Sequence, residues 1–150
     1  MKIANRRAHY DYQLLDRLEA GINLSGAEVK AIRLGHADLT GSFVRITGSE
    51  AYLVNAKILP YKYARPEGYD EQRSRKLLLH KGEIIALKTK TEGHGLTIVP
   101  VSMYTTRQLI KLELALAKPK KQFDKRRAIQ KRDLQRETEA MLKESQRVDS

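Results

Sequence analysis

The side chains able to make and break bonds are few in this chain, and their spacing does not assemble them. His9, His36, His80 and His94 are the four histidines, and no two stand three or four residues apart, the spacing that would put both on one helix face around a zinc ion. Cysteine is absent, which removes thiolate ligands, disulfides and a cysteine nucleophile and suits a reducing, cytoplasmic compartment. Ser25 lacks the elbow that exposes a serine nucleophile, and the turn Glu92-Gly93-His94-Gly95 lacks the Lys-Ser or Lys-Thr of a phosphate loop. The adjacent acids Asp70 and Glu71 lie far in sequence from Glu28, Glu83 and Glu113, so a metal-dependent nuclease site is not indicated. The expectation is a protein that is not an enzyme and uses neither metal nor cofactor.

Charge is what the composition offers instead. Lys and Arg number 29 against 18 Asp and Glu, a net charge of +11 on 150 residues with a pI near 9.9. That balance implies a polyanionic partner, nucleic acid first. A lysine-rich solvated surface would give the same total, but residues 118 to 136 hold nine basic and two acidic side chains, a net +7, and this concentration favours RNA or DNA. Within it, "KKQFDKRRAIQKRD" (residues 120 to 133) sets one aromatic, Phe123, among lysines and arginines. Cations can track phosphates while the ring stacks on a base. The first residues, "MKIANRRAHYDY", contain no apolar signal segment, and no apolar run approaches the roughly 18 residues of a membrane span, so a soluble chain without a membrane partner is expected.

These groups must be positioned by the elements between them. Tyr10, Tyr12 and Leu14 alternate into a first strand with an irregularity near Leu15. At Ser25 the period changes: Ser25 and Glu28 form a capping box, Val29 and Ile32 supply a buried side, Lys30 and Arg33 point elsewhere, and Gly35 ends the helix in a left-handed conformation. Phe43, Val44 and Ile46 are followed, across Gly48-Ser49, by Tyr52, Leu53 and Val54, the pattern of a hairpin. Residues 60 to 75 hold two of the four prolines and few apolar side chains beyond tyrosine, so they read as a long exposed loop. "KLLLH" is a short buried run, "KGEIIALKT" a short helix weakened by Gly82, and "LTIVPVSMY" and "LIKLELALA" are two further strands.

The sum is mainly β with short helices: five or six mostly antiparallel strands, best arranged as a small closed barrel, because closure removes exposed sheet edges. Residues 1–117 make this domain. Residues 118–150 carry too few apolar side chains for a core and are expected to be a basic tail, disordered alone and helical once a polyanion neutralises it.

Four stretches, "EAGINLSGAEVKAIRLG", "RSRKLLLHKGEI", "GLTIVPVSMY" and "KLELALAKPKKQFDKR", resemble the SmpB family in order and spacing. The resemblance implies an oligonucleotide-binding-type (OB-like) barrel with flanking helices. It implies binding to the tRNA-like domain of tmRNA, delivery with the elongation factor EF-Tu acting indirectly through tmRNA, and entry into stalled ribosomes in trans-translation. The tmRNA face would comprise Asn5, Arg6 and Arg7; Glu28, Lys30 and Arg33; Arg75, Lys76, His80 and Lys81; and Lys118, Lys120 and Lys121. Glu28 has a second reading, as the capping-box acid alone. Phe123, Asp124, Lys125 and Arg126 match the element that meets small-subunit rRNA in the decoding centre, with the rest of the tail in the empty mRNA channel. Phe123 stands where Tyr or His is usual, keeping the stacking face. A monomer is expected. The alternative from composition is a structural ribosomal protein with a basic rRNA-binding extension.

Overall fold

Alternating apolar residues along several short strands leave one solution that buries one face of each: the strands must curl around a shared interior. The computed structural model of the chain, which describes residues 2–59 and 69–120, has this arrangement. Nine strands and three helices follow one another: β1 (Lys2–Ala4), α1 (Arg6–Asp11), β2 (Tyr12–Ile22), α2 (Gly26–Arg33), β3 (Ala37–Asp38), β4 (Phe43–Thr47), β5 (Glu50–Val54), β6 (Lys57–Ile58), β7 (Arg75–Leu78), α3 (Lys81–Thr91), β8 (Thr97–Thr106) and β9 (Leu109–Pro119). Seven strands form one antiparallel sheet in the order β1-β8-β4-β5-β7-β2-β9, while β3 and β6 pair separately. Because β8 also pairs with β9, the pairings return to their start, and six strands enclose the core with β1 added along β8.

The interior is filled from every strand and closed by two helices. Leu53, Met103, Leu112, Leu114 and Ile58 are fully buried, joined by Ala31 and Ile32 of α2 and Leu87 of α3. The capping box forms as the sequence requires. Ser25 accepts from the Glu28 N–H at 3.3 Å, the Glu28 carboxylate accepts from the Ser25 N–H at 2.9 Å, and Gly35 follows with φ of +79°. The hairpin turns at Gly48-Ser49 with Thr47 opposite Glu50. The irregularity expected near Leu15 is a register shift of β2 against β9 between Leu14 and Arg17.

Three expectations change. The alternation of Tyr10 with Tyr12 does not begin a strand: residues 6–11 are the helix α1, and β2 starts at Tyr12. Asn5 is the reason, since its side chain accepts from the Ala8 N–H at 3.3 Å and so caps the helix. The same side chain donates to Pro100 O at 2.8 Å, and the Asn5 N–H donates to Val101 O at 2.9 Å, tying the chain start to an irregular point in β8 where proline has no N–H. "KLLLH" is not a buried run, because β7 alternates, with Leu77 buried and Leu78 at the surface. The strand count exceeds five or six by the short β1, β3 and β6.

The compact unit ends at Pro119, with β9 pairing Lys118 to Gln13 and Pro119 to Tyr12, two residues beyond the boundary expected at 117. Most of the loop expected over 60 to 75, residue 121 and everything after it, and with them Lys121, Phe123, Asp124, Lys125 and Arg126, lie outside the described residues.

Candidate nucleic-acid interface

β7 and β2 run side by side with Leu77 opposite Ile22 and Leu78 opposite Gly21. The pleat sends Leu77 inward and leaves Leu78 57% exposed on the outer face. Leu78 lies across Gly21 so closely that a β-carbon on Gly21 would meet Leu78 Cβ at 3.1 Å and Cδ1 at 3.3 Å. Glycine therefore provides the seat for an exposed leucine. The pair forms part of a cavity of about 750 Å³ whose lining includes Lys76, Lys81, His80 and Lys111. Glu19, Glu50 and Glu83 line it as well, and an exposed apolar side chain among lysines suits an RNA strand, whose sugars and bases take the apolar contact while its phosphates take the lysines.

Each wall of this groove carries a Glu–Lys pair whose carboxylate is also bonded to a tyrosine. On one, Glu50 accepts from the Tyr52 hydroxyl and from Lys76 Nζ at 3.2 Å; on the other, Glu19 accepts from the Tyr104 hydroxyl and from Lys111 Nζ at 2.8 Å. The Tyr52 and Lys76 hydrogen bonds hold Glu50 below the usual carboxylate range, and those from Lys111 and Tyr104 do so for Glu19. The phenols move the other way. The bond to Glu50 raises Tyr52, while burial followed by the bond to Glu19 pushes Tyr104 up to about 12. At neutral pH each wall holds a neutral phenol, a carboxylate and an ammonium.

Beneath the groove lies a buried ion-pair network. Arg75, adjacent to Lys76, has none of its surface exposed, and neither has Glu28. Arg75 Nε donates to Glu28 Oε2 at 2.7 Å, its Nη1 to Ala56 O at 2.9 Å and Arg73 O at 3.0 Å, and its Nη2 to Glu71 O at 3.0 Å. Arg73 donates to the other Glu28 oxygen. Tyr69 donates to Ile58 O at 2.9 Å and stands 3.4 Å from Glu28 Oε2. Burial alone would raise the Glu28 pKa, but hydrogen bonds from Arg73, the Ser25 N–H and Arg75 outweigh it and hold the group at about 2. One carboxylate thus joins α2 to β7 and to residues 69–73.

Three residues assigned to the RNA face lie inside the protein. Asn5, Glu28 and Arg75 are buried and hydrogen-bonded to other groups of the protein, and these bonds hold the surface above them in place. The other described candidates are brought together only in part. Lys76, His80 and Lys81 line the groove, with His80 at the start of α3. Arg6 and Arg7 lie exposed on α1, where Arg7 pairs with Asp11 at 3.0 Å and stacks over Tyr10. Arg7, Asn5 and Pro119 line a separate cavity of about 360 Å³, and Lys118 is exposed beside Pro119. Lys30 and Arg33 form a third location on the exposed side of α2, where Arg33 Nη2 reaches Gln108 O at 3.2 Å in the β8–β9 turn. Lys120 is half-buried at the last described position.

Sequence reasoning missed Glu19, Gly21, Glu50, Tyr52, Leu78, Tyr104 and Lys111. A signal existed for some of them: with Leu77 and Leu53 assigned inward, alternation would have sent Leu78 and Tyr52 outward. Among the described residues no three His, Asp or Glu side chains are grouped to hold a metal ion, and no helix is long and apolar enough to cross a membrane.

Comparison with known proteins bears on what such a groove serves. The family model described as SmpB protein matches residues 2–144. The SsrA-binding protein of Carboxydothermus hydrogenoformans is 48% identical over 139 residues, covering 93% of this chain and 93% of that protein. The SsrA-binding protein of Caldicellulosiruptor saccharolyticus is 47% identical over 140 residues, covering 93% of this chain and 89% of that protein. A solved chain reported under "tmRNA-SmpB: a journey to the center of the bacterial ribosome" superposes with a TM-score of 0.68 at 47% identity, covering 81% of this chain and 85% of that one.

Proposed function

Because the chain belongs to the SmpB protein family, we propose that it binds tmRNA, the SsrA RNA, through its tRNA-like domain and acts with it on stalled ribosomes in trans-translation. The observation that carries this reading is the lysine-rimmed groove in which Leu78 lies exposed over Gly21, in a barrel nearly half identical to SsrA-binding proteins. In this reading the protein acts by binding and positioning RNA rather than by turning it over. It works in the cytoplasm, its barrel is of the OB type, and EF-Tu is reached only through tmRNA. Lys76, His80 and Lys81 contact tmRNA at the groove, with Arg6, Arg7, Lys30, Arg33, Lys118, Lys120 and Lys121 adding contacts along the same RNA. Phe123, Asp124, Lys125 and Arg126 act in the decoding centre, where the ring stacks on a ribosomal base and the cations follow phosphates.

Equilibrium binding of the full chain to tmRNA tests the groove. Leu78→Asp places a carboxylate where RNA must lie and should weaken binding about tenfold or more, the loss of roughly 1.4 kcal/mol expected of one central contact. Gly21→Ala should weaken it in the same direction by displacing Leu78. Lys81→Ala should weaken binding and flatten the dependence of log K on log salt by about 0.7 to 0.9, the loss of one phosphate contact. Wild-type affinity in Leu78→Asp together with an unchanged salt slope in Lys81→Ala would remove the groove from the interface.

A further inference from the structure

The groove contains acids where a surface built only for phosphate would have none. Exposed Glu–Lys pairs contribute little stability, at most about 1 kcal/mol each, so folding does not account for them. Their arrangement is also repeated: Lys76 sits directly opposite Tyr52 on β5 and β7, and Lys111 directly opposite Tyr104 on β9 and β8, with Glu50 and Glu19 each bonded to both members of its pair. Between the two sets lies the Gly21–Leu78 pair, since Gly21 is opposite Leu78 on one side and Lys111 on the other. A carboxylate has about four acceptor positions and each of these uses two, so both oxygens can accept again from a ligand in the groove. Both tyrosines are half-buried and hold their carboxylates from beside the groove rather than from its lining.

Resting on the reading that this groove binds RNA, we propose that the Tyr52–Glu50–Lys76 and Tyr104–Glu19–Lys111 sets are two matched sites for an unstacked guanine. A carboxylate rejects phosphate and accepts only N–H or O–H donors. Among the four bases guanine alone presents two adjacent donors, N1–H and the 2-amino group, on its Watson–Crick edge, so both can bond one carboxylate at once. Adenine and cytosine place a ring acceptor beside their amino group, and uracil flanks its one N–H with carbonyls. The lysine in each set is neutralised until RNA arrives, which suppresses binding to arbitrary polyanions, and the tyrosine hydroxyl fixes the orientation of the carboxylate that meets the base. Unpaired guanines are thereby preferred over other exposed nucleotides.

The test uses the full chain with a ten-residue oligouridine carrying one central guanosine, the same oligomer with inosine, which lacks only the 2-amino group, and oligouridine alone. Wild type should prefer guanosine to inosine about tenfold, the scale of one bidentate base contact. Glu50→Gln should lower this preference, and Glu19→Gln with Glu50→Gln together should reduce it to within about twofold. The double variant should also bind oligouridine more tightly than wild type, with a salt slope steeper by about 1.4 as two lysines are released to phosphate. A purely structural role for the carboxylates would lower affinity for all three oligomers instead. No guanosine preference in a wild-type chain that binds tmRNA would overturn these sites while leaving the tmRNA reading intact; absence of tmRNA binding would overturn both. A preference undiminished in Glu50→Gln would overturn the assignment even if the double variant failed to fold.

Discussion

Glu28→Ala should destabilise the fold by about 3–5 kcal/mol, lowering the melting temperature by about 10–20 °C. Among the described residues Glu28 is the carboxylate bonded to the buried Arg75 guanidinium, and its removal leaves that charge in the interior with backbone carbonyls and the Tyr69 hydroxyl. A buried pair contributes little relative to an apolar replacement of both partners, but removing one partner exposes the full cost of burying the other. A drop of less than about 1 kcal/mol in denaturant melts would show that water reaches Arg75 and that the network is not dry. The same carboxylate sets an acid limit. Its folded-state pKa of about 2 lies below the ordinary value near 4.3, so its contribution is complete above that ordinary value and is lost as pH falls from there towards 2. Allowing for solvent around the part-exposed Arg73, the contribution is about 2–3 kcal/mol. Glu28→Gln should therefore be less stable than wild type at pH 7, and the gap should narrow between about pH 4.5 and 2. Arg75→Met sharpens the distinction between support and contact: tmRNA affinity should fall while the salt slope stays at its wild-type value, because no phosphate partner has been lost. A slope lower by about 0.7 to 0.9 would return Arg75 to the RNA face.

A chain ending at Lys120 should melt cooperatively, bind tmRNA within about tenfold of the full chain, and support no tagging of stalled polypeptides above background. The cut preserves the last pairings of β9, Lys118 with Gln13 and Pro119 with Tyr12, which an end at Ala117 would remove. The deleted residues 121 to 150 hold nine basic and six acidic side chains, a net +3, so the more informative comparison is with point variants that keep most of that charge. Phe123→Ala should leave tmRNA affinity unchanged and slow tagging, a stacked base being worth roughly 1 to 3 kcal/mol. Phe123→Tyr should behave as wild type. Replacement of Asp124, Lys125 and Arg126 together by alanine should be more severe than Phe123→Ala. Normal tagging in both the Phe123→Ala and the triple variant, with none in the shortened chain, would reduce the tail to bulk positive charge. A non-cooperative melt of the shortened chain would instead move the domain boundary beyond Lys120.

Local chemistry made several elements readable from the chain itself. Ser25 and Glu28 stand three residues apart, which is all a capping box needs, and Gly48-Ser49 between alternating runs is enough for a hairpin. The apolar alternation in residues 109 to 117 determined a strand with one buried face, and the charge asymmetry pointed to a polyanionic partner. Asn5 was equally local: an asparagine before Arg6-Arg7-Ala8 is a helix cap, and reading it only as part of a basic segment concealed α1.

Closure of the sheet decided the rest. Alternation says that Leu77 and Leu78 face opposite ways, but which one faces the core depends on the register of β7 against β2 and β5, and those partners lie more than 20 residues away in the chain. That register alone turns Leu78 outward onto Gly21 and turns Arg75 inward to a carboxylate 47 positions earlier. The two Tyr–Glu–Lys sets are likewise products of the barrel, since Glu19 meets Tyr104 and Lys111 across 85 and 92 positions of sequence. Charge and period are properties of a segment and survive in the unfolded chain; which arginine is exposed and which is buried is a property of register, and exists only once the strands have paired.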